Sequence, residues 1–179
     1  MARLFIGITA PATTHEFCCG PLAELDGLRI TKRARLHLTL HFLGRLTADQ
    51  QLRLQQELEK VTRQRFPLTL QGRGSFQPTA KNGVLWIGVR MSCELQDLHQ
   101  QIASAMVAVG LTPESRPWKP HVTIARFHSD LFSAEAVDGF LHGPTDESVT
   151  FAVESFSLFD SAAFTNADEY QILQQFELR

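Results

Sequence analysis

The sequence predicts a mixed chain of strands and helices in which one strand–helix–strand–helix unit occurs twice and forms two pseudo-symmetric lobes around a central cleft. The first observation is a repeated motif, because HLTL at residues 37–40 returns as HVTI at 121–124, 84 residues later. The second is that a similar apolar segment precedes each motif, LFIGIT in one unit and VLWIGV in the other. The third is the spacing: the phenylalanine of LFIGIT lies 32 residues before the first motif, and the tryptophan of VLWIGV lies 35 before the second. We therefore expect the two motifs to occupy equivalent places and to face each other across the cleft.

Length and composition indicate a globular protein with a substantial core. The chain has 179 residues, of which 44% are hydrophobic and 20% charged, and this balance is ordinary for a soluble domain. We predict one duplicated domain over residues 1–179, with lobes at about 1–80 and 81–179, and we leave open an exchange of strands between the lobes.

Several classes of protein are disfavoured by the same composition. A net charge of −2 argues against binding nucleic acid by overall charge alone, so phosphate binding requires a local basic surface. No apolar run has the length of a membrane span and no signal peptide is recognisable, so we expect no membrane association and a cytoplasmic location. Three cysteines, two of them adjacent, do not form a disulfide framework. We expect a monomer.

The first unit is bounded by capping residues, prolines and glycines. Its predicted elements are a strand at 3–9, a helix from Thr13 or Thr14 to about 26–27, a strand at 36–43 ended by Gly44, a helix capped by Thr47 at about 48–63, a strand at 66–70, bends at Gly72 and Gly74, and a short strand around Phe76. A basic run, RITKRAR at 29–35, precedes the first motif strand.

The second unit follows a polar turn at 78–83 and has the same order of elements. The predicted elements are a strand at 84–89, a helix capped by Ser92 and ended by Gly110, a loop with three prolines at 112–120, a strand at 121–127, a helix from Ser133 to about Leu141, and two long strands at 149–159 and 170–178 joined as a hairpin around 163–168.

Each motif places a histidine and a threonine on one face of a strand and two apolar side chains on the other. His37 and Thr39 are then separated by about 6.6 Å along the strand, as are His121 and Thr123, which leaves room for one tetrahedral anion. A lone His-x-Thr pair is most often structural. Its recurrence at the same place in two similar units favours a functional site.

Two histidines suit general acid–base catalysis, because one can accept a proton while the other donates one. Cleavage of a phosphodiester needs both transfers, and the two threonine hydroxyls can stabilise the phosphate oxygens. This chemistry requires neither a metal nor another cofactor. A zinc site is the competing interpretation; zinc hydrolases use three protein ligands, and His41, predicted on the same face as His37, is the candidate for a third. The remaining histidines are predicted at the surface: His15, His99, His128 and His142.

Basic residues flank both motifs and fit an anion-binding cleft. Before the first motif lie Arg29, Lys32, Arg33 and Arg35; Arg116 and Lys119 precede the second motif and Arg126 follows it.

These motifs resemble the 2H phosphoesterase superfamily. Within it, HLTLHFLG at 37–44 and RPWKPHVTIAR at 116–126 are similar to the bacterial and archaeal RNA 2′,3′-cyclic phosphodiesterases, also called the ThpR/LigT or 2′-5′ RNA ligase family. The opening RLFIGI and the closing segments FSLFDSAAF and YQILQQFEL extend the similarity over essentially the whole chain. The resemblance implies two α+β lobes, each an antiparallel sheet with helices outside.

The resemblance also implies an activity, which is the opening of an RNA 2′,3′-cyclic phosphate, or of a cyclic nucleotide, to leave a 2′-phosphate. His37 would be the proton donor and His121 the proton acceptor, while Thr39 and Thr123 would bind the phosphate oxygens. Phe42 and Arg126 would flank the nucleobase, although strict alternation places both on the face opposite the histidines, so a twist or a bulge at the end of each strand is required. Two alternatives remain: ATP-independent 2′-5′ RNA ligation, which is the reverse reaction, and a nucleotide-binding module without turnover.

Overall fold

The structure is a computed structural model that describes residues 3–22, 25–77, 82–128, 130–131, 134–143, 147–164 and 169–179, with backbone only at 163 and 164. The strands are β1 Arg3–Thr9, β2 Leu28–Ile30, β3 His37–Arg45, β4 Phe66–Phe76, β5 Asn82–Val89, β6 His121–His128, β7 Ser148–Val153, β8 Ser155–Phe164 and β9 Tyr170–Glu177. The helices are α1 His15–Cys19, α2 Ala48–Leu58, α3 Cys93–Ala108 and α4 Ala134–Leu141.

One antiparallel sheet runs through the whole molecule, in the order β7-β4-β5-β6-β3-β1-β8-β9, with β2 paired to β6 beside this path. The predicted α+β class is confirmed. The two motif strands are neighbours at the centre of the sheet, where Leu38 of β3 pairs with Val122 of β6. Both consecutive and distant strands pair: β4 pairs with the next strand β5 and with the distant β7, while β8 pairs with the distant β1 and carries β9 on its other side.

The apolar sides of the motif strands form the core. Leu38, Leu40, Val122 and Ile124 are buried, and α3 packs against β3 and β4 with α2 alongside it. The buried residues of α3 recur at helical spacing, as the sequence predicted: Leu95, Leu98, Ile102 and Met106. Fixed in this way, both strands turn their histidine–threonine faces to the other side of the sheet. No helix among the described residues combines the length and apolarity needed to cross a bilayer.

Several predicted boundaries are confirmed. Thr47 caps α2 in a capping box with Gln50, and the Ser92 side chain accepts a hydrogen bond from the amide of Leu95 at the start of α3. Gly110, with φ of +79°, follows the end of α3. The proposed Ser133 cap, most of the turn at 78–83 and the tip of the last hairpin lie outside the described residues.

Four predictions differ from the structure. The separate strands predicted at 66–70 and around Phe76 are one strand, β4, with a register shift between Leu70 and Arg73. The first helix is only five residues long and is flanked by 3-10 turns, because Pro21 cannot donate the hydrogen bond that would continue it. The second helix ends at Leu58, before the β-branched Val61 and Thr62. The long strand predicted at 149–159 is two strands separated at Glu154, since β7 pairs with β4 and β8 pairs with β1.

Candidate active site

The two motifs lie together in one cleft on the open face of the sheet. The cleft has a volume of about 570 Å³, and its lining includes His37, Thr39, His121 and Thr123. All four are half-buried, whereas the apolar residues that alternate with them are fully buried. The sequence thus predicted correctly which residues the fold brings together.

Each motif histidine is oriented by the backbone two residues before it. Nδ1 of His37 donates to the carbonyl of Arg35 at 2.7 Å, and Nδ1 of His121 donates to the carbonyl of Lys119 at 2.7 Å. When the ring is neutral, this bond places its proton on Nδ1 and leaves the Nε2 lone pair for the cleft. Each Nε2 can therefore accept a proton, or donate one when its ring is charged.

Aromatic side chains hold both rings in matching ways. Phe5 lies 4.9 Å from the ring centroid of His37, and Tyr170 meets that ring edge-on at 5.4 Å. Trp86 lies 5.7 Å from the ring of His121, and Phe76 meets it edge-on at 5.0 Å. Phe5 and Trp86 are equivalent in the repeat, because each directly precedes the Ile-Gly pair of its segment, LFIGIT or VLWIGV. The duplication therefore extends to the aromatic walls.

A bulge follows each motif and reverses the alternation of side chains. On β3, Gly7 pairs with Thr39 and Ile6 pairs with His41, so Leu40 is the extra residue. His41 is consequently buried on the core face, at 6% exposure, while Phe42 is 68% exposed. The prediction that His41 shares the face of His37 is wrong for this reason. Phe42 lines the cleft.

The equivalent bulge in β6 has the same effect on Arg126. Leu85 pairs with Ala125 and Trp86 pairs with Thr123, so Ile124 is the extra residue. Ile124 and Ala125 are buried in succession, and Arg126 lines the cleft. Of the twist or bulge that the sequence required at Phe42 and Arg126, the structure thus has a bulge in both strands.

The described lining of the cleft is strongly basic. It contains five cationic side chains and no carboxylate, the cations being Arg3, Arg29, Lys32, Arg35 and Arg126. Arg35 also lies over the ring of Tyr170, at 5.6 Å. Lys119 lies over Trp86, with Nζ 4.5 Å from the ring centroid, outside the cleft lining. Arg33 lines an adjoining hollow of about 220 Å³ that shares Arg35, His37 and Tyr170 with the cleft.

The surroundings lower the pKa of both motif histidines. Burial is the main cause for His37, and the charges of His121 and Arg126 lower its pKa further, against the hydrogen bond to the Arg35 carbonyl. Burial also lowers the pKa of His121, helped by the charge of Lys119. The surroundings thus disfavour the protonated form of either ring, and an anion bound between the rings would raise both pKa values again.

The cleft does not contain a set of metal ligands. Within the described chain, no group of three or more His, Cys, Asp and Glu side chains could hold a metal ion. His41, the candidate third ligand, is on the other side of the sheet.

Some residues of the site were not anticipated. Tyr170 comes from β9, 133 residues after His37, and no sequence spacing signals their contact. The aromatic partners Phe5 and Trp86 could have been found, because the repeat places them at equivalent positions.

Paired His-x-Thr strands facing one basic cleft at the centre of an antiparallel sheet define a phosphoesterase of the two-histidine class. A model of the 2′-5′ RNA ligase superfamily matches residues 21–163, and the chain belongs to this superfamily.

Known relatives agree with this assignment. The chain is 30% identical to the RNA 2′,3′-cyclic phosphodiesterase of Archaeoglobus fulgidus over 127 residues, which cover 69% of this chain and 72% of the relative. It is 27% identical to the RNA 2′,3′-cyclic phosphodiesterase of Escherichia coli over 180 residues, which cover 98% and 96% of the two chains. The crystal structure of E. coli LigT complexed with 3′-AMP superimposes with a TM-score of 0.78 at 26% identity, over 99% of this chain and 98% of the other.

Proposed function

We propose that this protein hydrolyses RNA 2′,3′-cyclic phosphate ends to 2′-phosphates without a metal ion. The observation that carries the proposal is the matched orientation of His37 and His121, whose Nδ1 atoms are both held by backbone carbonyls while their Nε2 atoms remain for one basic cleft. The relatives named RNA 2′,3′-cyclic phosphodiesterase support the choice of substrate.

The proposed reaction uses one histidine for each proton transfer. His121 Nε2 accepts a proton from water, whose oxygen forms a bond to phosphorus. The bond from phosphorus to the 3′ oxygen breaks, and protonated His37 donates its Nε2 proton to that oxygen, which leaves a 3′-hydroxyl and a 2′-phosphate. The hydroxyls of Thr39 and Thr123 donate hydrogen bonds to the non-bridging oxygens, where negative charge accumulates.

The substrate phosphate also prepares the acid. A phosphodiester carries one negative charge, and placing it between the rings offsets the burial and the cationic neighbours that lower the pKa of His37. Binding therefore favours the state in which one histidine is protonated and the other is neutral, which is the state that the reaction requires.

The cleft offers contacts for the rest of the nucleotide. We propose that exposed Phe42 stacks on the base and that Arg126 contributes a cation–π or phosphate contact. Arg35 and Arg33 would bind phosphates of a longer RNA, since one lines the cleft and the other lines the adjoining hollow. Lys119 would act on the phosphate through its charge near His121.

Both motifs come from one chain, so one copy supplies a complete site and we propose that the working unit is a monomer. The cytoplasm is the proposed location. The same groups, with the 5′-hydroxyl of a second RNA in place of water as the nucleophile, would catalyse ATP-independent 2′-5′ ligation, an activity that the family name records.

The deciding experiment measures turnover of a 2′,3′-cyclic nucleotide in the presence of EDTA. We expect turnover to persist in EDTA and to fall about 10²–10⁴-fold in His37→Ala and in His121→Ala, the usual contribution of one acid or base. The matched control is His142→Ala, which removes a largely exposed histidine on the far end of α4.

Each other result has a defined meaning. Loss of activity in EDTA would indicate a metal enzyme, and tight binding without turnover would indicate a nucleotide-binding module. A folded His37→Ala or His121→Ala protein with near-normal turnover would refute the paired mechanism.

A further inference from the structure

A column of three stacked rings crosses the junction between the two halves of the sheet. His41 of β3 stacks on His99 of α3 with ring centroids 4.0 Å apart and an angle of 23°. His99 stacks in turn on Trp118, from the loop before β6, at 3.9 Å and 14°. His99 was predicted at the surface, but it is half-buried between these two rings. Its partners could not be recognised in the sequence, because they lie 58 and 19 residues away in the chain.

The column is hydrogen-bonded to the backbone of the first motif strand. Trp118 Nε1–H donates to the carbonyl of Thr39 at 3.2 Å, and the ring of His99 is hydrogen-bonded to the carbonyl of Leu40. His41 Nε2 donates to the carbonyl of His99 at 2.9 Å, which fastens β3 to α3. Leu40 is the extra residue of the bulge, where the ladder is interrupted, so the column supports the strand where its own pairing fails.

Trp118 also reaches the second motif through its position in the chain. It precedes Lys119, whose carbonyl accepts the hydrogen bond that orients His121. The direct ladder between the two motif strands contains one residue pair, Leu38 with Val122. Trp118 thus adds a second connection across this narrow junction, and it links the backbone of Thr39 to the segment that orients His121.

The duplication does not reproduce this column. The positions equivalent to Trp118 and His41 in the other unit are Ala34 and Ala125, which carry no ring, yet the equivalent bulge forms in β6. A bulge in this fold does not itself require the column. Its presence on one side only indicates a specific task.

We propose that Trp118 is a positioning residue that sets the separation and orientation of the two His-x-Thr motifs through its hydrogen bond to Thr39. The inference rests on the proposed function, since it assigns to Trp118 the alignment of the acid and the base. Trp118 does not line the cleft. Its removal should therefore reduce kcat and leave the KM of a small cyclic nucleotide nearly unchanged.

The sharpest test replaces only the N–H group. Trp118→Phe keeps an aromatic ring on His99 and removes the donor; incorporation of 3-benzothienylalanine at position 118 keeps the full bicyclic shape and replaces N–H by sulfur. For both we expect kcat for a 2′,3′-cyclic nucleotide to fall about 3- to 10-fold, the effect of one net hydrogen bond felt in the transition state. KM should stay within about 2-fold, because binding groups are untouched.

A second readout follows the histidines themselves. The charge of His121 contributes to the lowered pKa of His37, so their mutual effect depends on their separation. An NMR titration of both rings should show a changed pKa of His37 in the Trp118 variants, because the separation of the two rings changes. A residue that only stabilises the fold would not change this coupling.

The control is Phe151→Leu on the outermost strand β7, where Phe151 is partly buried against the core. It should lower thermal stability without changing kcat or the His37 titration. The inference is overturned if the Trp118 variants keep wild-type kcat, if KM rises while kcat does not fall, or if Phe151→Leu loses kcat equally at an equal loss of stability. Absence of turnover in the wild-type protein would instead refute the proposed function.

Discussion

Gly7 of β1 offers a direct test of how accurately the first motif must be placed. Gly7 pairs with Thr39 across the sheet, and a Cβ atom added at Gly7 would lie 2.7 Å from the carbonyl oxygen of Leu38. Ordinary contacts of a Cβ begin near 3.4 Å, so Gly7→Ala must move the two strands apart by about 0.7 Å. The displaced carbonyl belongs to the residue between His37 and Thr39.

The size of the effect follows from that displacement. A misplacement of about 1 Å can cost about 10²-fold in rate, so we expect kcat of Gly7→Ala to fall about 10-fold. Overpacking of this kind should also lower the free energy of unfolding by about 1–3 kcal/mol. Steady-state kinetics on a cyclic nucleotide and urea unfolding measure the two quantities on the same preparation.

Gly88 provides a matched control within the duplication. It occupies the equivalent position of VLWIGV, and a Cβ added there would lie 2.7 Å from the carbonyl oxygen of Gln71, on β4. Gly88→Ala should lose similar stability, because its clash is similar. Although Gly88 pairs with His121, the carbonyl that its Cβ would displace lies on β4, on the side of β5 away from β6, so kcat should fall less than about 3-fold. Equal losses of kcat in the two variants, or an unchanged kcat in Gly7→Ala, would refute the argument.

Four other predictions follow from the site. Because burial lowers the pKa of both His37 and His121, the bell-shaped profile of kcat/KM against pH should have its maximum below about 6.5. The profile of kcat should lie at higher pH, because the bound phosphate raises both pKa values. A kcat/KM maximum above pH 7 would contradict this. Arg33→Glu or Arg35→Glu should raise KM more for an oligonucleotide than for a cyclic mononucleotide, with a smaller salt dependence, and equal effects on both substrates would exclude an extended RNA site. A substrate with a low-pKa phenol as leaving group should partly rescue His37→Ala only, whereas rescue of His121→Ala would exchange the roles of acid and base. Burial, with the charge of His41, lowers the pKa of His99 to about 4, below the value of 6.5 in the unfolded chain. The stability that neutral His99 contributes above pH 6.5 is therefore lost as the pH falls toward 4. In urea unfolding across this range, His99→Phe should lose less stability than the wild type.

The repeat was the most informative feature of the sequence. Because both motifs follow a similar apolar strand at a similar distance, it identified His37, Thr39, His121 and Thr123 without any knowledge of their contacts. Alternation then placed the apolar partners in the core. These results depend on local periodicity and on internal comparison, which a single sequence contains.

The bulges show where alternation reaches its limit. An extra residue in one strand can be recognised only when the pairing of that strand with its partner is known, and the sequence alone does not reveal this pairing. It therefore assigned His41 to the cleft, although the bulge at Leu40 turns that ring into the core. For Phe42, alternation and the family resemblance disagreed, and of the two arrangements that would reconcile them, a twist or a bulge, the structure has the bulge.

Contacts between distant elements were beyond local patterns. Tyr170 reaches His37 because β9 extends the sheet beyond β8 and β1, and His99 meets His41 because α3 packs on β3. The short α1 is a different case. Pro21 is a helix-ending signal in the sequence itself, and the helix predicted to run to about 26–27 ends before it.

In the proposed reaction one motif histidine donates a proton and the other accepts one. Two identical His-x-Thr motifs cannot by themselves determine which histidine has which role. The difference has to come from neighbours that the duplication no longer shares. Arg126 stands where the other unit has Phe42, and its charge is among the causes that lower the pKa of His37, which makes the protonated ring of His37 a stronger acid. Lys119 acts similarly on His121 from outside the cleft, but its counterpart two residues before His37 is Arg35, which is also a cation. Arg126 lines the cleft and differs in charge from its counterpart Phe42, so in the proposed reaction it would both contact the nucleotide and strengthen the proton donor, and this departure from symmetry can assign the roles of acid and base.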